Sequence, residues 1–224
     1  VDKVRIDIKY VKDDNQVDYN LLILEDADFK NSTFKCENNF FYCVREQEKM
    51  SKSKFNVVNP DEICDKYGAD TLRMYEMFLG PIEQSKPWDT RGISGVHSFL
   101  KKFWGLFFKD GLINVSEEDP SIKSLKSLHK TIKKITEDIE KLSLNTCISS
   151  FMICINELSS MNCNNREILK DLLILISPFA PHFAEELWNQ LGNKESIVDQ
   201  VYPVYNEKYL VETEKLYPVS FNGK

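Results

Sequence analysis

The chain has 224 residues, 42% of them hydrophobic and 29% charged, with a formal net charge of −6. That is enough apolar mass for one or two cored domains, and no run of about 18 apolar residues is present to span a bilayer. The six cysteines contain no C-x2-C pair and the three histidines are scattered, which argues against a zinc site or a disulfide framework and for free thiols in a reducing compartment. The first ten residues alternate charged and apolar, unlike a secretory leader. The reading is a soluble, cytoplasmic protein with no metal site and no membrane partner. Its negative charge does not advertise nucleic-acid binding unless basic residues gather on one face.

Three zones follow one another. Residues 1–45 read as a small antiparallel sheet. Val4, Ile6, Ile8 and Tyr10 alternate with charged residues. Asp13-Asp14-Asn15 is a turn signal, Leu21 to Leu24 a second apolar run, and Phe34 to Val44 a hairpin around Glu37-Asn38-Asn39. Residues 46–89 are mixed. A polar loop leads to Asn59-Pro60-Asp61-Glu62, a helix start with a capping residue and a proline suited to the first turn. Gly68 stops that helix, and a second runs from about Ala69 to Leu79.

From about 90 to 192 the apolar residues recur at three and four positions. Ile93, Val96, Leu100, Phe103 and Phe107 form one series, and Leu125, Leu128, Ile132, Ile135 and Ile139 another. Ile148, Phe151, Met152, Ile155 and Leu158 form a third, and Ile168 to Ile176 is nearly all apolar. Pro181 opens a last helix that Gly192 stops. The predicted fold is mainly α, an up-and-down helix bundle preceded by the β-rich module. The tail, 193–224, returns to strand-like runs at Val201 to Tyr205 and Val219 to Phe221. It stops at Asn222-Gly223-Lys224, a favoured hairpin turn with no strand after it, which reads as a chain cut inside a hairpin.

The sharpest chemical signal is Lys49-Met50-Ser51-Lys52-Ser53. Two lysines and two hydroxyls sit in one loop between a strand and a helix. Mobile ammonium charges suit polyphosphate oxygens whose charge develops during reaction. A second basic feature is a stripe: Lys123, Lys126, Lys130, Lys133 and Lys134 fall on one arc of a helical wheel, opposite the apolar face. Such a stripe either tracks a nucleic-acid backbone or is an ordinary solvated face. Asp70 and Arg73 lie one turn apart, as a local ion pair or as a brace for the lysine loop. Trp88 reads as a pin for the linker between Pro81 and Pro87.

Lys49 to Ser53 matches the KMSKS signature of the class I aminoacyl-tRNA synthetases. The following Asn56, Pro60 and Tyr67-Gly68-Ala69-Asp70-x-Leu72-Arg73 resemble the segment after it in the leucine, isoleucine, valine and methionine enzymes. Met74 to Leu100 looks like the leucyl-tRNA synthetases of bacterial type. Ser177-Pro178-Phe179-Ala180-Pro181-His182 through Trp188 is similar to their helix-bundle signature, and Val219 to Lys224 resembles the first strand of their C-terminal domain.

The resemblance implies the KMSKS end of a Rossmann-like catalytic domain at 46–89, a tRNA-binding bundle at 90–192, a leucine-specific insertion at 1–45, and a linker with a truncated C-terminal domain at 193–224. In such enzymes ATP and leucine form an adenylate, and leucine then passes to tRNA(Leu). Lys52 would neutralise charge on the ATP phosphates, with Lys49 assisting. Ser51 and Ser53 would shape the loop and Met50 would anchor it. Magnesium would accompany ATP, the lysine stripe would contact the tRNA body, and DNA would not be a partner. The family's other nucleotide signature, His-x-Gly-His, appears nowhere, and the leucine pocket and editing domain are absent too. The chain is therefore expected to be inactive alone, as an excised piece or one subunit of a split enzyme. The alternatives are the matching segment of an isoleucine, valine or methionine enzyme, or a stand-alone tRNA-binding module.

Overall fold

The computed structural model describes residues 4–211 other than Asp13 and Asn39. The expected strand at Val219 to Phe221 and the turn at Asn222-Gly223 lie outside the described residues. The chain divides into two compact units, Val1–Pro60 and Asp61–Lys224.

The first unit is less strand-rich than its alternation predicts. The expected strand over Val4 to Tyr10 is instead an extended run ending in a 3-10 turn, Ile8–Tyr10, capped by the Asp7 side chain. The run at Leu21 to Leu24 is a helix, α1 (Tyr19–Glu25), because the Asp18 carboxylate accepts a hydrogen bond from the Leu21 N–H and starts it. The observed sheet is one short antiparallel pair, β1 (Gln16–Val17) on β2 (Phe41–Tyr42). Tyr10, Val17 and Leu22 are buried at its centre, with Ile6, Val11, Phe29, Phe34, Phe41 and Cys43 around them. Phe34 does not pair in the expected hairpin. It packs between the rings of Tyr19, Phe29 and Phe41.

The second unit is the predicted helix bundle. Two short helices, α2 (Pro60–Tyr67) and α3 (Ala69–Phe78), meet at Gly68, whose φ of +88° lets the chain reverse between them. Then come α4 (Ile93–Trp104), α5 (Ile122–Glu140), α6 (Leu144–Ser160), α7 (Arg166–Ile176) and α8 (Pro181–Gln190). Each apolar series points inward: Ile93, Val96, Phe103, Ile132, Ile135, Ile148, Phe151, Ile155, Leu158, Leu169 and Leu172 are all completely buried. Between α4 and α5 lies a hairpin the periodicity did not predict, β3 (Phe108–Lys109) on β4 (Leu112–Ile113). Its turn is Asp110-Gly111, both at positive φ, as a two-residue hairpin connection demands.

Helices α5 and α6 are joined along a polar seam as well as an apolar one. Ser127 Oγ donates to Glu157 Oε2 at 2.5 Å, and the Cys154 sulfur lies 3.6 Å from the same hydroxyl. Asp138, only 4% exposed, accepts from Thr146 Oγ1 at 2.6 Å and from Lys134 Nζ at 2.5 Å. Burial pushes the Cys147 thiol up to about 11, so it behaves as a small apolar side chain.

Asp70 and Arg73 do not pair with each other. Asp70 Oδ2 accepts from the Phe183 N–H at 2.6 Å and its Oδ1 lies 2.9 Å from His182 Nδ1, so it caps the first turn of α8. Arg73 donates to the Pro178 carbonyl at 3.1 Å. Both tie α3 to the α7–α8 corner, over more than 100 residues of sequence. Trp88 pins the linker: its indole N–H donates to Thr90 Oγ1 and its ring meets Tyr75 edge-on at 5.3 Å.

The expected strand at Val201 to Tyr205 finds no partner strand among the described residues and runs extended. The chain just beyond it lies against α5. Asn206 N–H donates to His129 Nδ1 at 3.2 Å, and the Tyr209 ring stacks on His129 at 4.7 Å.

Candidate functional site

The loop Lys49 to Asn56 is organised by the backbone and by one amide side chain. Lys52–Lys54 form a 3-10 turn in which the Lys54 N–H donates to the Ser51 carbonyl and the Phe55 N–H to the Lys52 carbonyl. Ser51 Oγ and Ser53 Oγ share a hydrogen bond at 2.8 Å. Asn56 Oδ1 accepts from the Ser51 N–H at 2.9 Å, and Asn56 Nδ2 donates to the Lys49 carbonyl at 3.4 Å. Phe55 ends the turn in the left-handed region, at φ 54° and ψ 33°, a conformation that costs a bulky L-residue on the order of 1–2 kcal/mol. Its carbonyl accepts from the Ile8 N–H at 3.0 Å, so the turn is fastened to the start of the chain.

The three lysines of the loop differ in what they meet. Lys54 Nζ lies 3.2 Å from Glu48 Oε2, and Arg5 lies 3.0 Å from Glu48 Oε1. Those two cations, Lys54 first, hold the Glu48 carboxyl below the usual glutamate range. Glu48 is thereby spoken for. Lys49 and Lys52 are exposed, and among the described residues no carboxylate pairs with either. Two free ammonium groups and two hydroxyls on a fastened turn make a site for a polyanion. It offers nothing that would hold a divalent cation directly. Among the described residues no three His, Cys, Asp or Glu side chains converge as metal ligands.

Met50 is 43% exposed, and the hydrogen bonds that hold the loop come from the Asn56 amide and the Phe55 carbonyl. Both oxygens of Asp70 are taken up at α8.

The lysine stripe is also divided. Lys123, Lys126 and Lys130 line a shallow groove between α5 and α6, together with Ser127, Glu157, Ser160 and Met161. Lys133 is diverted to the chain that follows the bundle. Its Nζ lies 3.5 Å from Glu207 and 5.2 Å from the centre of the Tyr205 ring. Lys134 is consumed by Asp138 one turn along. Among the described residues, three of the five lysines thus have no ion-pair partner and face the groove.

Two protein families match this chain. Residues 39–88 match the family described as tRNA synthetases class I (I, L, M and V), and residues 123–222 match the anticodon-binding domain of tRNA ligase. Leucine--tRNA ligase of Flavobacterium psychrophilum is 63% identical over 198 residues, covering 88% of this chain and 21% of that protein. The same-named protein of Christiangramia forsetii is 56% identical over 224 residues, covering 100% of this chain and 23% of its own. Among solved structures, the ternary complex of Agrobacterium radiobacter K84 agnB2 LeuRS, tRNA and LeuAMS aligns with a TM-score of 0.63 at 27% identity, over 73% of this chain and 23% of that one. The chain therefore spans less than a quarter of the length of these relatives.

Proposed function

The chain belongs to the class I aminoacyl-tRNA synthetases, within their leucine--tRNA ligase branch, and from that premise we propose that it supplies the ATP-phosphate loop and a tRNA-binding helix bundle to leucine–tRNA ligation in the cytoplasm. In that reaction an oxygen of the leucine carboxylate attacks the α-phosphorus of ATP. The bond from that phosphorus to the bridging oxygen breaks, and pyrophosphate leaves. A hydroxyl of the terminal adenosine of tRNA(Leu) then attacks the leucyl carbonyl and releases AMP.

The carrying observation is the pair of ammonium groups, Lys49 and Lys52, left without a carboxylate among the described residues on a turn whose third lysine is neutralised by Glu48. Charge accumulates on the departing pyrophosphate as the bond breaks, and positioned cations stabilise that state more than the ground state. No nucleophile is required of the protein. Magnesium would arrive with the nucleotide and be bound by phosphate oxygens, since Glu48 beside the loop is already paired.

The chain mixed with the separately expressed remainder of the ligase is expected to restore leucine-dependent pyrophosphate exchange, while the chain alone gives none. Exchange driven equally by isoleucine, valine or methionine would refute the leucine assignment, and exchange by the isolated chain would refute the division of labour.

The tRNA reading rests on the groove formed by Lys123, Lys126 and Lys130. Ammonium groups spaced along one helix contact phosphates without reading bases, so they contribute affinity more than sequence discrimination. Replacing all three by glutamine in the complete ligase is expected to weaken tRNA(Leu) binding. It should also lower the slope of log affinity against log salt by roughly one for each phosphate no longer neutralised. The same change at Lys133 and Lys134 should move the slope far less, because both are already paired. Equal slopes for the wild type and the triple variant would sink the assignment.

A further inference from the structure

Among the described residues no carboxylate pairs with the ammonium groups of Lys49 and Lys52, but the backbone that carries them is held. One side chain holds it. Asn56 presents its amide edge to the Lys49–Ser51 segment, accepting from the Ser51 N–H and donating to the Lys49 carbonyl. A primary amide offers the same acceptor–donor pair that a neighbouring strand would, and neither a carboxylate nor an apolar side chain can offer both at once. The 3-10 turn from Ser51 to Phe55 closes the other side, through the Lys54 and Phe55 N–H groups. The eight residues from Lys49 to Asn56 thus form a ring closed by a side chain. Both lysine Cα atoms belong to it, and neither ammonium group is used in its hydrogen-bonding scheme.

We propose that Asn56 is a positioning residue for adenylate formation, fixing the roots of Lys49 and Lys52 so that their charges meet the triphosphate already oriented. The inference rests on the reading of this turn as the ATP-phosphate loop. A long flexible lysine on an unfixed backbone would lose much of its advantage, because a reacting group misplaced by about 1 Å costs on the order of 10²-fold in rate. Asn56 itself touches no substrate in this scheme. It acts only through the lysines.

That last point gives the test. In the complete ligase, leucine-dependent pyrophosphate exchange is measured for Asn56→Ala, Lys52→Ala and the double variant. Thermal unfolding and leucyl transfer from preformed leucyl-adenylate to tRNA are followed alongside. Asn56→Ala is expected to lower kcat for exchange by about 10- to 100-fold, with the KM for leucine unmoved. The transfer step, which involves no triphosphate, should keep its wild-type rate, and the unfolding midpoint should stay in place. In the Lys52→Ala background the further loss should fall clearly below that in the wild-type background, to the part exerted through Lys49, since residues acting as a unit are not additive.

Losses that multiply in the double variant would overturn the proposal. So would an Asn56→Ala enzyme with normal exchange, or one that loses exchange and transfer in parallel. A Lys52→Ala enzyme with wild-type exchange is a different outcome: it overturns the phosphate-loop reading itself, and the role of Asn56 with it.

Discussion

Lys52→Ala in the complete ligase is expected to slow leucine-dependent pyrophosphate exchange by about 10²- to 10³-fold, with tRNA affinity barely changed. The size follows from the role: one preorganised donor aimed at developing charge contributes roughly 3–4 kcal/mol to a transition state. Its direction follows from the loop, where Lys52 is exposed, lacks a carboxylate partner among the described residues, and lies at the start of the 3-10 turn. Removing it leaves no buried acid orphaned, so the fold should not suffer. Lys52→Arg is expected to recover only part of the rate, because a planar, delocalised fork does not place its charge where a compact ammonium on a four-carbon stem does. Pyrophosphate exchange and filter binding of tRNA on the same preparations separate the two effects. An exchange rate within a few-fold of wild type would remove the loop from the chemistry.

The largest effect on stability is expected at Phe103. Its side chain is completely buried in α4, with ring centres 6.3 Å from Phe99, 5.8 Å from Phe107 and 5.4 Å from Phe183. Phe103→Ala removes most of an aromatic side chain from a site walled by three others, which cannot collapse fully into the space. The expected cost is about 3–5 kcal/mol, and for a unit of this size the melting temperature should fall by roughly 10 °C. Phe103→Leu should cost roughly 1.5 kcal/mol or less. Urea unfolding with an unchanged m-value would assign the loss to the folded state. A change below about 1 kcal/mol for the alanine variant would mean that this cluster does not carry the α4–α8 contact.

The bundle was legible because its helices bury one stripe each. Ile132, Ile135, Ile148, Phe151 and Ile155 appear in the sequence at helical spacing and in the structure at zero exposure. Within the first 45 residues an antiparallel sheet was legible and is found, Gln16–Val17 on Phe41–Tyr42, whereas the run at Leu21 to Leu24 is a helix for a related reason. Leu21 to Leu24 is a continuous apolar run, which fits a short buried strand or a helix equally. The deciding signal was Asp18, three residues before Leu21, where a carboxylate can cap a first turn.

The lysine loop was recognisable as a word, yet Asn56 carried no visible role, because a side chain closing a ring onto backbone leaves no periodic trace. The lysine stripe was legible as an arc but not as a usable one. Asp138, four residues after Lys134, could have flagged that pair. Glu207 and Tyr205, more than 70 residues beyond Lys133, could not have been assigned to it from spacing. Asp70 and Arg73 failed the local reading in the same way, since their partners sit over 100 residues away.

The seam between α5 and α6 works as a key. Sliding one helix along the other by a single turn, about 5.4 Å, would take the buried Asp138 carboxylate off the Thr146 hydroxyl and the exposed Glu157 carboxylate off the Ser127 hydroxyl. A buried carboxylate that loses a hydrogen-bond donor disfavours that slip, whereas an all-leucine face would tolerate it. The seam therefore favours one register of the two helices, and with it one spacing of Lys123, Lys126 and Lys130 against the opposite wall of their groove.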